Sequence, residues 1–413
     1  DSINVTHLDT VSGTTTFTNK AGDKLEYTYY KDKWRIGMEE KKIVVAGHVS
    51  LDITPKFNMR TKVSSIGSVI KAGKLVNVGQ VAIAPGGCVT NTGLALKKFG
   101  VDVKLIAKVG NDEFAEILYE KYRQQGVEPN FIVSGEDTTS YTIVLALNGC
   151  DRAFLHDSAA NDSFCEEDID YEVIKNSDYF HFGYPTLMKE FFREDKDELR
   201  KMFKKVKNFG LITSLDVTTI DPDSEQADID WNQRLSEVLP YVDFFVPSVE
   251  ELCFMLDKNK YYEIQNRASD DVCMHLSLSE DIVPMAEKVI TLGCKGVLIK
   301  CGAAGMYLMT SDSIRMKELD GKISIEEWSN KRIFQNSYTP DRILSGTGAG
   351  DTSIAAFIYG ICKGMTPEDT LRIAAGTGAS CITEYDTLSG LLPISILKNK
   401  IQNGWKEQNF IHK

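Results

Sequence analysis

From residue 43 onward, short apolar runs alternate with stretches of helical periodicity, and this alternation constrains the chain more than any other feature. Ile43–Gly47 (IVVAG), Val103–Val109, Leu211–Val217, Asp243–Val246 and Val297–Lys300 read as buried strands. Runs of this kind suit parallel strands covered on both faces. Between them lie amphipathic helices with marked ends. In Asp112–Gln125 the apolar positions are Phe114, Ile117, Leu118 and Tyr122, and Gly126 follows as a stop. Thr366-Pro367-Glu368-Asp369 supplies an N-cap, a first-turn proline and first-turn acids for a helix reaching about Thr383. The pattern predicts an α/β fold, a central and mostly parallel sheet with helices on both faces.

Two stretches break the rhythm. Residues 53–83 and 130–156 are β-rich without intervening helices and are expected to form a small sheet projecting from the main domain. Residues 257–282 and 311–338 are polar and irregular and are expected as loop insertions. The first 37 residues hold seven threonines and neither Cys nor Pro. There Thr14–Asn19 and Leu25–Tyr30 flank Lys20-Ala-Gly-Asp-Lys24, a hairpin pattern. Residues 1–37 read either as an appended segment before a natural start at Met38, or as an ordinary N-terminal hairpin.

Composition excludes several classes. With 59 acidic against 47 basic side chains the net charge is −12, and no basic patch or tail suits nucleic acid or an anionic membrane. No apolar run approaches the roughly 20 residues of a membrane span, and the start lacks a signal-peptide pattern. Nine cysteines without a C-x-x-C read as reduced core thiols, and the expected location is the cytoplasm.

The chemistry concentrates in Ser345-Gly-Thr-Gly-Ala-Gly-Asp351-Thr-Ser, followed by a helix with Ile354, Phe357, Ile358 and Ile361 on one face. Glycines let successive N–H groups point at one spot, and a helix N-terminus adds positive potential there. An Asp inside an anion site repels phosphate, so it reads better as a general base for an attacking hydroxyl. The plainer reading makes Asp351 the N-cap of its helix. The spacing Gly346-x-Gly348-x-Gly350 does not suit a dinucleotide loop, and no Walker A motif exists.

Other elements occur in a fixed order: Gly47…Asp52, Gly86-Gly87…Asn91, Gly110-Asn-Asp112, Ser248-Val-Glu-Glu251, Lys300-Cys-Gly302-Ala-Ala-Gly305 and Gly348-Ala-Gly-Asp351. In these the sequence resembles the ribokinase or PfkB family of carbohydrate kinases, which includes adenosine kinases, over about residues 42–400. The resemblance implies a ribokinase-like fold over residues 38–413 with a small β-sheet lid from about 53–83 and 130–156. It implies Asp351 as catalytic base and Gly348, Ala349 and Gly350 as the anion hole. Asp52, Gly86, Gly87 and Asn91 match the sugar contacts, and Glu251 matches the acid that organises Mg²⁺ through water. Ser248, Lys300, Gly302 and Gly305 match nucleotide-side positions, with the helix from Ala375 onward beside the adenine.

The sequence departs from the family pattern in four places. Ser248 replaces Asn, Lys300 stands where Thr is usual, Ser345-Gly346 replaces Asp-Thr, and Ala375 replaces Asn. The third change puts a monovalent-cation site in doubt. The expected activity is transfer of the γ-phosphoryl of ATP to a sugar hydroxyl, with a primary hydroxymethyl as the acceptor. The alternatives are a nucleoside kinase of the same fold, with Phe154 or Tyr184 holding a base, and a catalytically silent sugar-binding regulator. The expected partners are a sugar and ATP, with a homodimer through the lid as an option, and neither nucleic acid nor membrane. His48, His156 and His181 have no metal-ligand spacing and read as structural or substrate-contact residues. Arg152 and Asn161 are candidates to line the cleft from the lid side.

Overall fold

The computed structural model describes residues 12–18, 24–30, 33–36, 41–58, 62–63, 65–148, 152–267 and 272–408. The chain divides into two compact units, Asp1–Lys41 and Lys42–Lys413. In the first, strands β1 (Ser12–Thr18), β2 (Lys24–Tyr30) and β3 (Lys33–Ile36) form an antiparallel sheet in that order. The expected hairpin is β1 paired with β2, Thr15 opposite Tyr27, and β3 is an addition that the sequence did not signal. Residues 19–23 of its turn, and Met38, lie outside the described residues.

The strands of the second unit begin with β4 (Lys42–Gly47), β5 (Ser50–Pro55), β6 (Val81–Gly86), β7 (Asp102–Val109) and β8 (Asn130–Val133). Next come β9 (Tyr141–Leu145), β10 (Ala153–Asp157), β11 (Tyr179–Gly183) and β12 (Ile212–Asp216). The last are β13 (Phe244–Phe245), β14 (Gly296–Cys301), β15 (Gly305–Thr310) and β16 (Arg332–Asn336). Nine of these form one sheet in the order β16-β15-β14-β13-β12-β11-β4-β7-β8, parallel from β8 to β14 and antiparallel over β15 and β16.

Strand β4 shows why the sheet is covered on both sides. Ile43 and Val45 enter one core with helices Cys88–Lys98, Ala349–Cys362 and Pro367–Cys381. Val44 and Ala46 enter the other with helices Glu198–Asn208, Trp231–Val238 and Val283–Thr291. Alternate side chains of a strand point to opposite faces, so an unbroken apolar run needs two cores.

The smaller sheet has the order β10-β9-β5-β6. It is assembled from both β-rich excursions, with two corrections. Strand β8 pairs with β7 in the large sheet and does not join the small one. Between β5 and β6 the chain is largely irregular, with one short 3₁₀ turn at Ile66–Ser68. The polar stretch 257–282 is mostly helical, beginning with Lys258–Arg267, and 311–338 contains strand β16. Polar exposed faces hid both from an apolar-periodicity reading.

Candidate active site

Asp351 lies in the first turn of the helix Ala349–Cys362, whose N-cap is Gly348. The plain N-cap reading of Asp351 therefore does not hold. Gly348 has φ of +75°, and a Cβ there would stand 2.3 Å from the Thr387 Cγ2, so the turn into this helix requires glycine. The first-turn N–H groups have no intrahelical acceptor, and the dipole of a 14-residue helix adds to them.

The Asp351 carboxylate is 5% exposed. Its Oδ2 accepts from Asn91 Nδ2 at 2.9 Å, while the Tyr184 hydroxyl donates to Oδ1 at 2.8 Å and to Oδ2 at 2.9 Å. Burial raises its pKa, opposed by the Lys300 charge and by the Asn91 and Tyr184 donors. Asn91 belongs to the helix Cys88–Lys98, which is capped by Gly87.

Gly87 in turn follows Gly86 at the end of β6, paired with Ser50 of β5. Asp52 is the third residue of β5 in the small sheet. A Cβ on Gly86 would lie 2.3 Å from Asp52 Oδ1, so the missing side chain is the space the carboxylate fills. Burial pushes Asp52 up to about 6, against hydrogen bonds from Ser50 and Thr142. One run of chain thus joins Asp52 to the Asn91 that holds Asp351.

On the other side of Asp351, Lys300 Nζ sits 2.8 Å from Asp216 Oδ1. It also lies 3.7 Å from the place a Gly350 Cβ would occupy. Burial works against the Lys300 charge, yet the pull of Asp216, Glu251 and Asp351 holds it above the usual lysine range. Burial pushes Asp216 up to about 8, with Lys300 opposing. Ser248 and Glu251 form a capping box on the helix Val249–Leu256, Ser248 N–H donating to Glu251 Oε2 at 2.6 Å. Burial raises the Glu251 carboxyl, again opposed by Lys300.

Residues 41–394 match the profile described as pfkB family carbohydrate kinase. The chain belongs to the PfkB family of carbohydrate kinases. An uncharacterized sugar kinase of Archaeoglobus fulgidus is 24% identical over 298 residues, covering 72% of this chain and 98% of that protein. Arabidopsis thaliana ribokinase complexed with ribose and ATP has a TM-score of 0.64 at 19% identity, covering 87% of this chain and 98% of that one. A fructokinase with bound ATP from Xylella fastidiosa has a TM-score of 0.63 at 17% identity, covering 89% and 100%. These likenesses carry the ribokinase fold, and the chain is a sugar kinase.

Within this PfkB kinase the remaining candidates separate. Gly302 and Gly305 shape the turn between β14 and β15. At Gly305, with φ of +129°, a Cβ would stand 2.1 Å from the Gln335 carbonyl oxygen of β16, so the turn and the pairing with β16 account for that glycine. Ala375 is buried in the core cluster of its helix. Arg152 reaches from the chain before β10 to donate to the Thr347 hydroxyl, tying the small sheet to the loop before Asp351. Asn161 does not line the cleft: its amide is spent on Val49, donating to O at 2.9 Å and accepting from N–H at 3.2 Å.

His181 is held against Ser214 at 2.8 Å, and burial pushes it down to about 3. The Nε2 atoms of His48 and His156 meet at 3.3 Å, joining the end of β4 to β10. Among the described residues, no three His, Cys, Asp or Glu side chains gather as a metal cage, and no helix is long and apolar enough to cross a membrane. What exists near Lys300 is a pair of acids, Asp216 and Glu251, with Asp216 Oδ2 buried and unpartnered. Two neighbouring carboxylates, one with an unpartnered oxygen, are the oxygen donors that fit Mg²⁺, which takes its remaining ligands from water and phosphates.

Asp216 escaped the sequence reading, and Tyr184 was named there only as an aromatic to hold a base, not as a partner of Asp351. Asp216 had a signal, an acid closing the carboxyl end of a buried strand, where ligands bind in such sheets. Tyr184 had none beyond being aromatic.

Proposed function

We propose that this sugar kinase transfers the γ-phosphoryl of ATP to a hydroxyl of a small sugar, a primary hydroxymethyl. The observation that carries the reading is a buried carboxylate, Asp351, in the first turn of a glycine-led helix, beside a buried lysine charge. In this reading Asp351 accepts the hydroxyl proton as the oxygen attacks phosphorus. Its raised pKa makes it the better proton acceptor. The N–H groups of Gly348, Ala349 and Gly350, with Lys300, stabilise charge on the transferring group. A bound Mg²⁺ supplies further charge neutralisation at the phosphates, with Asp216 and Glu251 as the carboxylates that would hold it, Glu251 through water.

Asp52 accepts hydroxyls of the sugar, in the space that Gly86 leaves. The small sheet acts as a lid, with Arg152 and the His48–His156 contact as its attachments over the site. Its closure excludes water, which competes as an acceptor. Strands β6 and β10 are the edges of that sheet and expose Val81 and Leu155, which supports a homodimer through the lid. A coupled ADP-release assay over a panel of sugars and nucleosides tests the acceptor class. Turnover with nucleosides and none with sugars would reverse it. Asp351→Asn keeps the fold and lowers turnover by about 10²–10⁴, and near-normal turnover removes Asp351 as the base.

A further inference from the structure

A base waiting for an acceptor should present a lone pair to the incoming O–H. In this structure a phenol already occupies that position. Tyr184 donates to both oxygens of Asp351, at 2.8 and 2.9 Å, while Oδ2 also receives Asn91. The hydroxyl therefore sits where a sugar hydroxyl must arrive for proton transfer. The residue is held there at some expense. Its φ and ψ are 64° and 39°, the left-handed region that a residue with a Cβ seldom adopts.

Its backbone N–H donates to the Asp216 carbonyl at 3.2 Å, and its own carbonyl accepts from Leu187 at 3.0 Å. Both anchors are backbone and fix the main chain, while the ring packs against the core and is held at its hydroxyl. The ring lies 6.1 Å from that of His48, centroid to centroid, and His48 meets His156 of β10. His48 thus links the ring to the small sheet.

We propose that Tyr184 is a positioning residue whose hydroxyl stands in for the acceptor on Asp351 and keeps the base engaged until the sugar hydroxyl displaces it. The inference rests on Asp351 being the base. It assigns to this kinase a built-in restraint on ATP hydrolysis, because water must compete with a tethered phenol for the same lone pairs. A sugar, bound through several hydroxyls, wins that competition and a lone water does not.

Tyr184→Phe keeps the ring and removes the donor. Hydrolysis of ATP without any acceptor then rises, and the acceptor KM falls, each by about two- to tenfold, the worth of one exchanged hydrogen bond. The pH profile separates restraint from mere structure. In kcat/KM, which reports free enzyme, the acid limb moves to higher pH, because the Asp351 carboxylate has lost a donor to its charged form. In kcat, which reports the complex with the phenol already displaced, the limb stays where it was.

Tyr184→Leu, which also lacks a donor, carries the same readouts should the phenylalanine variant not fold. A structural role predicts a lower Tm and lower kcat with neither limb moved, and that result overturns the inference. Unchanged acceptor-free hydrolysis with an unmoved kcat/KM limb overturns it equally, while leaving the kinase reading intact. Normal turnover in Asp351→Asn removes the base, and this inference with it.

Discussion

Replacing Lys300 by Met removes a cation whose charge acts on Asp216, Glu251 and Asp351 together. The Asp216 side chain is 1% exposed and that of Lys300 13%, with 2.8 Å between Oδ1 and Nζ. Breaking a buried pair by deleting one partner costs about 3–5 kcal/mol when the survivor stays charged. Asp216 need not stay charged. Burial already pushes it up to about 8 with Lys300 present, and removing Lys300 takes away the charge that opposed this rise.

The folded state then holds a proton that the unfolded chain has released. Stability falls as pH rises from the unfolded carboxylate range through the folded value, by at most about 1.4 kcal/mol per pH unit. The penalty of Lys300→Met is accordingly small at pH 5, where Asp216 is protonated, and largest above pH 8. Thermal unfolding of parent and variant from pH 5 to pH 9 measures it. The double variant with Asp216→Asn removes the titrating group and recovers most of the loss at high pH. On the role proposed for Lys300, Lys300→Met loses roughly 10- to 150-fold in kcat/KM, since one charge-assisted contact is worth about 1.5–3 kcal/mol, and the double variant, which also lacks a carboxylate proposed for Mg²⁺, loses more. An equal loss of stability at pH 5 and pH 9, or no recovery in the double variant, refutes the reasoning.

Gly86→Ala puts a Cβ 2.3–2.4 Å from three atoms of the Asp52 carboxyl group, and raises acceptor KM at least about tenfold by displacing a sugar contact. Gly67→Ala, with nothing within 4 Å, is the neutral control, and steady-state kinetics on both checks the assignment. Asp243 is fully buried among Lys207, Lys295 at 3.1 Å and the Thr213 N–H at 2.9 Å, at the start of β13 and so at the opposite end from the site. Asp243→Ala leaves Lys207 without its acid and Lys295 with Glu318 alone, and costs about 3–5 kcal/mol by denaturant titration, while kcat of the folded enzyme is unchanged.

The large sheet was legible because IVVA at residues 43–46 has only one economical explanation, two cores on one strand. Asp351 was legible because its glycines are adjacent to it in the chain. What escaped was long-range pairing. Tyr184 and Asp351 are 167 residues apart, and Lys300 and Asp216 are 84 apart. Nothing in a core-like run such as Tyr179–Gly183 announces that the next ring carries its hydroxyl to a carboxylate. Asn161 was misread for a related reason: a polar residue between β10 and the next strand looks like cleft lining until its amide is seen spent on the Val49 backbone. The capping box at Ser248 and Glu251 shows the same ambiguity in another form. The spacing S-x-x-E serves a helix start and a phosphate-side acid equally well, and here the helix start is visibly served.

The small sheet is stitched to the large one at very short joints: His48-Val49 between β4 and β5, Gly87 between β6 and the helix Cys88–Lys98, and Ser158-Ala159 after β10. Residues 50–86 and 141–157 carry the strands of the small sheet, and neither segment contains Asn91, Tyr184, Lys300 or Asp351. The small sheet is thus carried on its own pair of chain segments, so a substitution within it leaves the sequence around Asp351 and Lys300 untouched.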